Sequence, residues 1–167
     1  MSDKIILDPA SSMRSFYFDK KDRRVLFGDI RERETHLLTN GQTIHIEPDE
    51  VMDFRAIAYP DESFACVVFD PPHMLRLTEK SWMRKKYGVL SENTWREDLA
   101  SGFAECFRVL KTHGTLIFKW NEVSIPLKDI LALTDYKPVC GHPSGKRMGT
   151  HWVLFIKTNK ALDGEQE

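Results

Sequence analysis

The apolar run Val67-Val68-Phe69 stops abruptly at Asp70-Pro71-Pro72-His73, and this junction restricts the fold more than any other stretch of the 167 residues. Three residues of high β propensity make a buried strand. Two successive prolines then offer no N–H to a ladder and bar the residue before each from the helical region. The strand must end at the carboxylate, in a stiff elbow that fixes one acid and one proline carbonyl relative to each other. Ligands of open parallel sheets bind at such carboxyl ends. Taken alone, the elbow reads as a strand-terminating turn with a solvated aspartate, so the surrounding pattern has to decide its meaning.

That pattern alternates. A strand is expected over 4–7, ending in Asp8-Pro9 and followed by the small residues Ala10-Ser11-Ser12, which suit a tight turn near a ligand. A second strand over 24–27 closes on Gly28-Asp29, and Asn40-Gly41 with the alternating run 43–46 predicts a hairpin. Residues 49–55 are ambiguous between helix and strand, and 64–69 are the strand before the elbow. Residues 73–93 lack periodicity and are rich in Lys, Arg and aromatics, as expected of a lid or binding loop.

The clearest helix covers 95–110, with Leu99, Phe103, Cys106, Phe107 and Leu110 on one face and Thr94 and Glu97 placed for a capping box. A turn at Thr112-His113-Gly114 leads to a strand over 115–120. A short helix over 125–133 and strands over 136–140 and 151–156 follow. This order predicts an α/β fold: a Rossmann-like sheet, mostly parallel, with an antiparallel C-terminal strand pair.

Length and composition fit one domain over 1–158 with a polar tail over 159–167. A net charge of −1 gives no overall attraction to nucleic acid, so any basic surface must be local. Cys66, Cys106 and Cys140 lie far apart and read as reduced core residues of an intracellular protein. No apolar run reaches membrane-spanning length and the amino terminus lacks a signal-peptide pattern, so a cytoplasmic location without a membrane partner is the expectation. His142 and His151 have no cysteine or acid at metal-ligand spacing, and no metal site is expected.

The chemistry lies in the strand ends. Asp8, Asp29 and Asp70 each close a strand, with Asp53 on the less certain element between them, and parallel pairing should gather these acids at one cleft. An acid after the second strand is placed to accept from both hydroxyls of a ribose. The first turn has no G-x-G-x-x-G, which argues against a pyrophosphate cradle and for an adenosine ligand without a diphosphate.

In order, these residues resemble the class I S-adenosylmethionine-dependent methyltransferases, over most of the chain. Ile6-Leu7-Asp8-Pro9-Ala10-Ser11-Ser12 is similar to the family's first motif, with Ser12 where glycine is usual. Gly28-Asp29 is similar to the acid closing the second strand, and Asp53-Phe54 to the third motif. Asp70-Pro71-Pro72-His73 resembles the fourth motif of enzymes that methylate exocyclic amines, with His73 where an aromatic ring usually stacks on the base. The segment 105–116 matches the following helix-turn-strand, and Phe16-Tyr17-Phe18-Asp19-Lys20 with His142-Pro143-Ser144-Gly145-Lys146 resembles small phage- or prophage-type methyltransferases.

The resemblance implies S-adenosylmethionine as cofactor, held by Asp8, Pro9, Ala10, Ser11, Ser12, Asp29, Asp53, Phe54 and Asp70. It implies Asp70, Pro71, Pro72 and His73 as the catalytic set. Asp70 and the Pro71 carbonyl would accept the two N–H groups of an amine, so that its lone pair faces the methyl group. His73 could stack, hydrogen-bond or titrate near neutrality. Trp82, Lys85, Tyr87 and Lys146 are candidate stacking and phosphate contacts for DNA or RNA, against the plainer reading of solvated charges and loop anchors. Two further readings keep the cofactor: a small-molecule or protein side-chain acceptor, and a catalytically silent binding module. With no separate target-recognition domain in the sequence, a homo-oligomer, a partner subunit or a small substrate is favoured.

Overall fold

A computed structural model describes residues 4–145 and 149–159. Its strands are β1 (Ile6–Asp8), β2 (Val25–Asp29), β3 (Glu34–Leu37), β4 (Thr43–Ile46), β5 (Glu50–Val51), β6 (Phe64–Phe69), β7 (Leu110–Asn121), β8 (Cys140–Ser144) and β9 (Thr150–Ile156). Three helices, α1 (Trp82–Tyr87), α2 (Trp95–Val109) and α3 (Leu127–Leu131), are found among the described residues. Seven strands form one sheet in the order β5-β2-β1-β6-β7-β9-β8, with β3 and β4 as a separate hairpin. Pairing is parallel from β5 to β7 and antiparallel for β7–β9 and β9–β8. The expected sheet and its antiparallel finish are both present.

The core lies between the sheet and α2. Leu99, Phe103, Cys106 and Phe107 are buried against Leu7, Val67, Phe69, Leu116, Phe118, Val153 and Phe155. Gly102 permits the closest approach, since a Cβ there would stand 2.8 Å from the rings of both Phe54 and Phe69. On the opposite face, the β1–β2 crossover contains no helix, and its aromatics cover part of the sheet instead. Tyr17 meets Phe27 edge-on at 4.8 Å and Phe16 meets Trp152 at 5.2 Å.

Several expectations are corrected by packing. Of the three cysteines expected in the core, Cys106 is buried, Cys66 half-buried and Cys140 exposed on β8. Residues 136–139 are not a strand: Tyr136 stacks on Phe107 at 3.7 Å, Pro138 lacks a ladder donor, and the strand runs over Cys140–Ser144. Thr94 makes no side-chain cap; its hydroxyl donates to Asp98 at 2.8 Å. The turn at 112–114 is an irregularity within β7, with His113 at φ +64 and a register shift between Phe64 and Cys66. The ambiguous stretch 49–55 is the two-residue strand β5 followed by a turn, and the late helix is confined to Leu127–Leu131. The Asn40-Gly41 hairpin forms as expected, with Gly41 at φ +81. Residues 160–167 of the predicted tail lie outside the described residues.

Candidate functional site

The sheet's winding reverses between β1 and β6, which is where parallel α/β sheets open a crevice at their carboxyl ends. Asp8 ends β1, Asp29 ends β2, and Asp70 directly follows β6. Asp8 feels the charges of both Asp70 and Asp29. The acids share one edge of the sheet, with Asp53 two residues beyond β5, and of the four Asp70 lines the cleft described below.

Each acid has a different partner. Asp8 is 0% exposed, accepts the Tyr17 hydroxyl at 2.9 Å and the Ala10 N–H at 3.1 Å, and is pushed by burial up to a pKa of about 8. Burial and the neighbouring Asp8 also raise the Tyr17 phenol. Asp29 accepts the Arg31 N–H at 3.0 Å and Nε at 2.8 Å on Oδ1, and the Ser12 N–H at 3.0 Å and Arg31 Nη2 at 2.8 Å on Oδ2. Asp53 is gripped by Arg55 in the same way, through its N–H and its guanidinium, which holds the carboxyl below its ordinary range. Asp70 accepts Lys119 Nζ at 2.6 Å on Oδ2. Burial nevertheless lifts Asp70 above the ordinary range, against the pull of Lys119 and Lys86.

The first turn carries two left-handed residues. Ser12, where glycine is usual in the motif the sequence resembles, stands at φ +48, and Arg14 at +54. Each left-handed residue of this kind costs about 1–2 kcal/mol. Ser12 is held there by its N–H on Asp29 and its hydroxyl on the Lys86 carbonyl. The buried Ser11 hydroxyl has no hydrogen-bond partner among the described residues, while its N–H donates to Gly28 O at 2.8 Å. Pro9 is buried and Ala10 half-buried beside it. Phe54 packs on Phe69, 5.4 Å between ring centres.

Within 73–93, which the sequence leaves as irregular, α1 forms a strap over the crevice. It buries none of its own residues, which explains why periodicity misses it. Its C-terminal carbonyls carry the contacts: Arg31 Nη1 donates to Lys85 O at 2.9 Å and Lys86 O at 3.3 Å. Gly88 then turns the chain at φ +77, so close to Pro72 that a Cβ would stand 3.2 Å from its ring. Thus Arg31 and Ser12 each join the acid of β2 to the end of the strap.

Beside the strap opens a cleft of about 650 Å³, walled by Asp70, His73, Trp82, Tyr87, Lys119 and Trp120, with Asn121, Glu122 and Thr150 also lining it. The His73 ring lies 5.8 Å from Tyr87 and 6.2 Å from Trp120. Burial, with Lys119 nearby, lowers its pKa to about 4, so His73 is a neutral ring at pH 7 and does not titrate near neutrality as the sequence suggested. Trp82 and Tyr87 line the cleft; Lys85 lends its carbonyl to Arg31 and is not part of the wall. Lys146 lies outside the described residues.

Sequence reasoning missed Lys119, Arg31 and Tyr17. The first has a readable signal: aligning Val67-Val68-Phe69-Asp70 with Leu116-Ile117-Phe118-Lys119 sets the acid beside the lysine, and the observed register Phe69↔Phe118 does so. Glu122 reaches the start of α3, accepting the Leu127 N–H at 2.9 Å. Asn121 Oδ1 instead accepts the Val123 N–H and its Nδ2 donates to Thr150.

Among solved structures, a Pyrococcus horikoshii protein superposes with a TM-score of 0.61 at 14% identity, over 92% of this chain and 81% of that one. A SAM-dependent methyltransferase of Methanosarcina mazei gives 0.55 at 10% identity, over 96% and 95% of the two chains. A Streptococcus thermophilus rRNA methylase gives 0.53 at 8%, over 95% and 89%. At these identities the likeness is one of fold, and the fold is the Rossmann-like sheet found in methyltransferases. No protein-family model matches the sequence, and no curated protein matches it.

Proposed function

We propose that this protein is an S-adenosylmethionine-dependent methyltransferase acting on an amino nitrogen, with a nucleobase of DNA or RNA as the favoured acceptor. The observation that carries the reading is Asp70-Pro71 at the end of β6, opening into a cleft walled by neutral aromatic rings. Support for the cofactor comes from the first turn. Its buried Ser11 hydroxyl lacks a partner among the described residues, and Asp8, Asp29 and Asp53 lie along the same carboxyl edge of the sheet. Ser11, Ser12, Asp29 and Asp53-Phe54 would hold the cofactor, which supplies an electrophilic methyl group when bound. Since Arg31 fills Asp29, binding of a ribose there requires Arg31 to withdraw, and with it one tether of the strap.

The protein's part in transfer is positioning and charge stabilisation. Asp70 and the Pro71 carbonyl accept the two amine N–H groups. This lets the nitrogen pyramidalise and aim its lone pair, and the aromatic wall of His73, Tyr87 and Trp82 packs against a planar acceptor. A base from a duplex would have to be flipped out to reach this depth. The cleft volume also suits a free heterocyclic amine, the second reading.

Calorimetry with S-adenosylmethionine, then tritiated-methyl transfer to DNA, RNA and small heterocyclic amines, tests the proposal. Asp70→Ala should lower transfer by about a hundredfold or more while leaving cofactor binding within a few-fold. No cofactor binding, or undiminished turnover in the variant, would refute it.

A further inference from the structure

The four strand-end acids differ in one respect that bears on Asp70. In Asp8, Asp29 and Asp53, Oδ1 accepts the backbone N–H two residues on, from Ala10, Arg31 and Arg55 respectively. At Asp70 that position is Pro72, which has no N–H, and Oδ1 accepts no hydrogen bond from the described residues. The other oxygen is occupied: Lys119 reaches Oδ2 at 2.6 Å from the neighbouring strand. Lys119 is itself held, with Nζ 5.1 Å from the Phe16 ring and 5.7 Å from the Trp152 ring.

We propose that Lys119 is a positioning residue: by occupying Oδ2 it turns Asp70 into an acceptor with one available oxygen, and by balancing its charge it restricts the site to neutral amines. This rests on the methyltransferase reading. A carboxylate without a partner in a half-buried cleft would draw lysine and arginine side chains, whereas an ammonium already in place repels a second cation. A neutral amine meets no such repulsion. It donates one N–H to Oδ1 and the other to the Pro71 carbonyl. The other groups around Asp70 are Lys86 on α1 and Asp8 on β1 with its partner Tyr17; His73 is neutral, and Glu122 lines the same cleft.

The test compares wild type with Lys119→Met and Lys119→Arg. The first readout needs no activity: the carbon-13 titration of the Asp70 carboxyl, assigned through Asp70→Asn. Its midpoint should rise by about one pH unit or more, a tenfold or greater loss of acid strength, in Lys119→Met and stay near wild type in Lys119→Arg. An unchanged midpoint in Lys119→Met overturns the proposal. The second readout is labelling of adenine- and cytosine-containing oligonucleotides against lysine- and arginine-rich peptides. Wild type should favour the neutral acceptors at least tenfold, with the preference reduced in Lys119→Met and restored in Lys119→Arg. Equal labelling of the peptides by wild type overturns the acceptor restriction. If wild type labels neither, that restriction falls together with the methyltransferase reading, and the titration alone decides whether Lys119 sets the state of Asp70.

Discussion

Replacing Asp8 with asparagine should stabilise the protein increasingly as the pH rises. Burial moves the Asp8 pKa from 3.8 to about 8. Between those values the folded protein keeps a proton that the unfolded chain has lost, so folded protein binds more protons and stability must fall with rising pH. At about 1.36 kcal/mol per unit, roughly 3 kcal/mol is lost between about pH 5 and pH 7.5. Asp8→Asn keeps the shape of the neutral acid: the amide oxygen can still accept the Ala10 N–H, and the amide nitrogen can donate to the Tyr17 hydroxyl. His73 acts in the opposite sense. Its pKa is lowered to about 4, so the stability it contributes is lost as pH falls from its ordinary value of 6.5. Because His73 is common to both proteins, its effect cancels in their difference. Urea unfolding across this range should show the variant gaining on wild type by roughly 3 kcal/mol from about pH 5 to pH 7.5. A difference that stays flat would refute the account of a protonated acid at the end of β1.

Two further predictions concern the strap and the elbow. Arg31→Ala removes two bonds from the buried Asp29 and two from the carbonyls ending α1. It should cost about 2–4 kcal/mol in denaturant unfolding and raise deuterium uptake over 82–87; unchanged exchange there would deny Arg31 its role as tether. Pro72→Ala supplies an N–H two residues after Asp70, which should occupy Oδ1 as at the other three acids. Methyl transfer should then fall about tenfold or more with cofactor affinity retained, and full activity in a variant whose N–H is seen bonded to Asp70 would contradict the free-oxygen argument.

The sheet was legible because its strands carry their own punctuation. Asp8-Pro9, Gly28-Asp29 and Asp70-Pro71 each end an apolar run with residues that cannot continue it. The helix α2 was legible because its apolar positions recur at helical spacing and bury a continuous face. The strap was not, because α1 buries no side chain and is fixed by polar contacts to its backbone, which leave no mark on hydropathy. The β8 strand was misplaced for a different reason. Its extent is set by pairing with β9, whereas the preceding Tyr136 is claimed by a ring on α2. In the site, the positions of the acids followed from strand ends, but their charge states did not. Asp8 and Tyr17 are nine residues apart and meet only when the crossover folds back across the sheet.

The partners of these acids divide by the distance over which the chain must fold to supply them. Asp29 and Asp53 are closed by an arginine two residues on, and Asp22 with Arg24 repeats the device in an exposed turn. Such pairs form locally and need no sheet. Asp70 cannot use this route, because the residues after it are prolines. Its cation comes from β7, 49 residues away, and arrives only if β7 pairs with β6 in one register. What enforces that register is the other face of the strand. Leu116, Phe118 and Trp120 are fully buried toward α2, with Phe118 4.9 Å from Phe103 and stacked on Trp120. A slip of one residue would turn Lys119 into this aromatic layer and bring the rings to the cleft. Burying an unpaired ammonium among Phe69, Phe103 and Phe118 costs several kcal/mol, and exposing the rings forfeits roughly 2 kcal/mol each. The aromatic alternation of β7 therefore does two things at once: it builds the core, and it delivers Lys119 to the one strand-end acid that its own neighbours leave open.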